Sequence, residues 1–151
     1  MKKFKFSLEA LLNHRIRKEQ ELQKEVSLCE YEVINEKSIL LQIKHDITKT
    51  YDELNYKQTN RMEISEHIRY INFISRLNNS ILIQEDKITK VENKFILKRE
   101  ELIEAVKKRK VVDNLKEKKL LAYKDEQQKE EQNFMDEVGI YCFNNKNSIY
   151  N

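Results

Sequence analysis

The stretch LEALLNHRIRKEQELQKEVSLCEYEVINEKSILLQIKHDITKTYDEL, residues 8–54, decides the fold. Stepping by seven from Leu8 visits Leu8, Arg15, Leu22, Cys29, Glu36, Ile43 and Thr50. The same step from Leu12 visits Leu12, Glu19, Val26, Val33, Leu40, Ile47 and Leu54. The two series are offset by four and then three residues, which is the a/d spacing of a coiled coil. Ten of these fourteen positions are apolar, whereas chance placement at the chain's 39% apolar share gives about five or six. The first third of the chain therefore reads as a coiled-coil helix with polar breaks at Arg15, Glu19, Glu36 and Thr50. Such breaks lower stability and help fix register. Ser7 suits the N-cap, Phe6 is placed to pack on Leu11, and Glu9 puts a negative charge in the first turn.

Downstream, the seam fades over NYKQTNRMEIS, residues 55–65, where polar side chains occupy apolar heptad positions. A turn belongs here, with Asn60 ahead of Glu63, or Ser65 itself, capping a second helix. Apolar spacing resumes at Ile68, Ile71, Ile74, Leu77, Ile81, Ile88, Val91, Phe95 and Leu102, with gaps after Ile81 and Phe95. Beyond Leu102 it continues through Val106, Val112, Leu115, Tyr123, Phe134 and Val138 in a phase that slips, as if the supercoil changed pitch. Gly139, the single glycine, reads as a helix stop.

The expected fold is all-α, a long two-helix antiparallel coiled coil whose second helix is the longer. Residues 1–142 form one hairpin domain: helix 7–57, turn 58–64, helix 65–140. Residues 143–151 form a frayed tail. At 1.5 Å per residue the helices are about 75 and 115 Å long, so the second overshoots the first by about 40 Å, from near residue 115. An uncovered stripe of Leu121, Phe134, Met135 and Val138 suggests a partner.

Composition supports this reading. Charged residues make up 36% of the 151, with one glycine and no proline, so the chain has few places to turn. The balance of 29 basic and 26 acidic residues argues against nucleic acid. Acidic residues after 119 also work against the basic run KKRKVVDNLKEKK, residues 107–119, as a phosphate grip. No apolar run approaches the roughly 18–20 residues that span a bilayer. The basic start lacks the continuous apolar segment of a signal peptide. A cytosolic chain with reduced Cys29 and Cys142 is the expectation.

Catalytic patterns are missing. His14, His45 and His67 share no metal-ligand spacing, and there is no glycine-rich phosphate loop or nucleophile elbow. Neither an enzyme nor a cofactor is expected. Tyr51, Tyr56, Tyr70 and Phe73 gather near the turn, either plugging the hairpin's end or anchoring a partner. Ile34, Ile39, Leu41 and Ile83 lie off the seam and read as scattered surface residues.

These pieces resemble a known family. The opening FSLEALLNHR, with Phe6, Leu8, Leu11, Leu12 and Arg15, looks like the start of the FliJ family, coiled-coil proteins of the flagellar type III export apparatus. YINFISRL, with Tyr70, Phe73 and Leu77, is similar to the family's aromatic segment after the turn. RKVVDNLKEKKLLAYKDEQQKEEQNFMDEVG resembles its C-terminal pattern, here Arg109, Lys110, Leu115, Lys116, Glu117, Lys118, Tyr123, Glu131, Gln132, Asp136 and Glu137. Met135 and Val138-Gly139 depart from it. The resemblance implies a stalk like that of rotary ATPases. Such a stalk sits in the export ATPase ring, links it to the membrane export gate and escorts export chaperones. It places the protein at the cytoplasmic face of the membrane at the flagellar base. Tyr70, Phe73 and Leu77 become candidate gate-side contacts; Arg109, Lys116, Glu117, Asp136 and Glu137 become candidate ATPase-side contacts. A monomer without nucleic acid is expected. The alternatives are a virulence-secretion or rotary-ATPase stalk, or a self-associating structural coiled coil.

Overall fold

A computed structural model describes the backbone of residues 3–149 and the side chains of residues 3–142. It holds two helices, α1 (Glu9–Thr59) and α2 (Ile64–Ile149), of 51 and 86 residues. They pair as an antiparallel α-hairpin with the second helix longer. Without proline, no backbone donor is lost along either helix. The chain divides into two compact units, residues 18–104 and residues 1–17 with 105–151.

The 18–104 unit contains the turn. α1 ends at Thr59, and Arg61 follows with φ of 61°, the left-handed residue that leads the chain out of a helix. The Glu63 carbonyl accepts from the amides of Glu66 and His67, so Glu63, rather than Ser65, stands at the N-cap. Two side-chain links tie the helices together beside the turn: Lys57 to Glu66, and Gln58 to His67 at 3.2 Å.

Those links set the phase of α2. His67 and Tyr70 face α1, while Ile68 and Ile71, expected on the seam, point to solvent. From there the seam runs through Ile74, Leu77, Ile81, Gln84, Ile88, Val91, Phe95, Lys98 and Leu102, with Ser80 and Glu92 half-buried beside it. Steps of three and four alternate without a break. The gaps in the apolar pattern are filled by Gln84 and Lys98, polar residues in register. On α1 every seam position read from the sequence in this unit is buried or half-buried. The polar breaks have partners: Gln84 donates to the Glu36 carboxylate and, at 3.0 Å, to the Glu36 carbonyl, and the Thr50 hydroxyl donates to the Asp46 carbonyl at 2.7 Å. Ion pairs such as Lys37–Glu92 (2.6 Å), Lys94–Glu32 (3.0 Å) and Lys98–Glu25 (3.0 Å) cross between the helices. Their solvent exposure limits each to about 0–1 kcal/mol, so they specify register more than they stabilise.

In the other unit, Phe6, Leu12 and Val112 form a small core, with Phe4, Leu8 and Ile16 packed against it. Phe6 thus packs into this core rather than onto Leu11, which faces outward. On α2 the seam runs through Ala105, Arg109, Val112, Lys116, Leu120, Tyr123 and Gln127, with Val106 and Asp113 half-buried beside it. The expected slip reduces to a single irregularity, two consecutive steps of four around Lys116, which locally unwinds a supercoil. Phe4 lies on Tyr123 at 5.5 Å between ring centres. Residues 3–8, which precede α1, therefore cover α2 well past residue 115. From 128 to 142 every side chain is exposed. α2 also continues through Gly139, which adopts no positive φ and so is not the cap it resembled. The tail expected to fray, 143–151, lies outside the described side chains.

Candidate partner-binding surfaces

Beside the turn, Tyr70 and Phe73 line a shallow groove with Arg69, Asn72 and Arg76. The spacing places these residues on adjoining turns of one helix face. Tyr70 is half-buried beneath the Lys57 ammonium, 5.1 Å from its ring centre. Phe73 is 43% exposed, with the Arg76 guanidinium 5.9 Å from its ring centre. Leu77 is half-buried on the seam side and serves packing first. Tyr51 and Tyr56 are exposed, so the aromatics do not plug the turn. Arg69 and Arg76 escaped the sequence reading; their i−4 and i+3 spacing to Phe73 was the signal. Hydrogen bonding to Glu66, and secondarily the Tyr70 contact, pushes the Lys57 pKa up to about 12, so this edge stays cationic.

The candidate ATPase-side residues fall into two groups. Arg109 and Lys116 sit in the seam. Arg109 pairs with Asp113 at 2.5 Å, and Lys116 with Glu9 at 2.8 Å. The Lys116 pair ties α2 to α1, whereas the Arg109 pair lies within α2. Glu117, Asp136 and Glu137 are exposed. Asp136 and Glu137 stand in the uncovered segment of α2 among exposed Phe134, Met135, Val138 and Tyr141. Phe134, Val138 and Tyr141 repeat at four and three residues and so share one face.

His14 and His45 are exposed, and His67 meets Gln58. Among the described residues no cluster of His, Cys, Asp and Glu could hold a metal ion. No described helix is long and apolar enough to cross a membrane. Cys29 is buried in the seam and Cys142 is exposed, both as free thiols.

A narrow-cored helical hairpin with open grooves and charged, partly apolar faces defines a coiled-coil protein. The family model for the Flagellar FliJ protein matches residues 4–148. The chain belongs to the FliJ family and is a component of the flagellar protein export apparatus. No curated protein and no solved structure matches it.

Proposed function

We propose that this chain is the stalk of the flagellar type III export apparatus, without catalytic activity of its own. It engages and stimulates the export ATPase ring, contacts the membrane export gate and escorts export chaperones. It acts as a monomer at the cytoplasmic face of the membrane and serves motility through flagellar assembly. The observation that carries this reading is the uncovered segment 128–142, whose apolar stripe Phe134, Val138 and Tyr141 is flanked by Glu137, with Asp136 on the far side of the helix. An exposed apolar stripe with charged neighbours supports docking into a partner, the charges setting orientation and encounter rate. The groove at Tyr70 and Phe73 supports a second contact, at the gate.

The test uses purified export ATPase. Asp136→Lys with Glu137→Lys should abolish stimulation of ATP hydrolysis while helicity is unchanged. Phe73→Ala should weaken capture by the gate protein with little change in melting temperature. Undiminished stimulation by the first variant would overturn the ATPase contact. Arg109 and Lys116 are poor targets here, because reversing them would break the Asp113 and Glu9 pairs.

A further inference from the structure

The outer face of α1 is short of charge where a two-helix coil is usually polar. With Val26, Val33, Leu40 and Ile47 at heptad position a, the positions turned away from α2 are b, c and f. From Ser27 to Thr48 these ten positions hold no Asp, Glu, Lys or Arg, where the chain's 36% charged share would place about three or four. They include Leu28, Tyr31, Ile34 and Leu41, each between 61% and 69% exposed. Ile34 and Leu41, which read as scattered in the sequence, thus share one face with two more large side chains. The matching positions of α2 in the same unit keep Arg76, Asp86, Lys90 and Glu100.

We propose that this face, residues 24–52 of α1, pairs antiparallel with the same face of a second copy of the chain, about a two-fold axis at Ser38. The face is complementary to itself in that register, because like heptad positions come together. Ile34 of each copy meets Leu41 of the other, Tyr31 meets His45, and Asn35 meets Gln42. Ser38, on the axis, is small enough to let the helices approach. At the two ends, exposed Lys24 meets exposed Asp52 with opposite charge, and Leu28 lies along the stem of Lys49. The flanking charges Glu25, Glu32, Lys37 and Lys44 are drawn toward α2 by ion pairs with Lys98, Lys94, Glu92 and Glu85.

The area sets the strength. Covering the four large side chains removes roughly 500 Å² per copy, about 1,000 Å² in the pair, and the polar positions bring it to the low end of the roughly 1,200–2,000 Å² of specific interfaces. The pair is therefore reversible, a state of the free chain at high concentration. The stalk reading rests on other residues, and the monomer it needs is what this equilibrium yields on dilution.

The test is sedimentation equilibrium of the full chain from about 1 to about 300 µM, a range that brackets the micromolar affinities of small interfaces. The weight-average mass should climb from one chain toward two. Ile34→Lys should weaken pairing at least about tenfold with helicity unchanged. Ile83→Lys, the same change at an exposed isoleucine of α2, should leave pairing intact. Cysteine linkage reads the geometry independently, in a Cys142→Ser background that removes the exposed thiol. Ser38→Cys should oxidise to a covalent pair. His45→Cys should not, because antiparallel copies hold their two positions 45 about 20 Å apart. A mass fixed at one chain throughout the series would overturn the pair. Equal effects of the two lysine variants would overturn this face as its site, and equal linkage at 38 and 45 would overturn the antiparallel axis.

Discussion

Gln84 illustrates how much one side chain contributes to the pairing of the two helices. It is buried, and both its hydrogen bonds end on Glu36 of the opposite helix. A polar pair at facing seam positions is satisfied in one register and broken in any slipped one. Gln84→Leu should cost about 1–2 kcal/mol, because the Glu36 carboxylate, largely covered, loses its hydrogen-bond donor and is left with the Lys87 ion pair at 3.8 Å. Adding Glu36→Leu should recover most of that loss, since an apolar layer replaces the polar one. Urea unfolding of the four proteins of the cycle measures both numbers, and additive losses would show that the pair is not coupled. The ion pairs make a separate prediction. Hydrogen bonding to Lys98 holds the Glu25 pKa below its ordinary 4.5, so its stabilisation is complete above that value and is lost as pH falls through the lower, folded value. Lys57 runs the other way: its contribution is complete below 10.5 and is lost as pH rises through about 12. Melting temperature should be level between these limits and fall outside them. In Glu25→Gln the acid limb should become shallower; an unchanged limb would show that the pair does not matter to folding.

At the level of the helices, α1 was nearly fully legible. Its apolar residues recur often enough that fourteen seam positions could be counted, and none of them is exposed. α2 was legible in kind but not in phase. Gln84, Lys98, Arg109 and Lys116 occupy its seam, and counting apolar residues alone turns each of them into a false gap. The identity of the covering segment was hidden for a different reason. Phe4 and Phe6 lie outside any helix, so no helical period announces that they pack on Tyr123 and Val112. The candidate surfaces divide likewise: Tyr70 and Phe73 stood out as aromatics near a turn, whereas the structural duty of Lys116 depends on a cross-helix partner, Glu9, that sequence spacing does not reveal. Gly139 misled because glycine usually ends a helix, yet here it takes ordinary helical angles with open space where a Cβ would stand. Gly139→Ala should therefore stabilise the end of α2 by about 0.5–1 kcal/mol. Circular dichroism should show a small gain in helicity, and a loss would mean that the backbone there is not helical in solution.

Across the whole molecule, folding and partner contact draw on largely different residues, which makes them separable by deletion. Every described side chain from 128 to 142 is exposed, and the last covered positions are Tyr123 and Gln127, joined by a hydrogen bond at 2.8 Å. A chain ending after Gln127 keeps the small core of Phe6, Leu12 and Val112 and the seam of the 18–104 unit. Its unfolding free energy should change by less than about 1 kcal/mol, as surface changes away from packed features do. It should no longer stimulate the export ATPase, because Phe134, Val138, Asp136 and Glu137 are gone. Denaturant titration and ATP hydrolysis on the same truncated protein read the two consequences separately. Retained stimulation would move the ATPase contact off this segment. A large drop in stability would mean that the terminal segment folds back onto surfaces that here stand open.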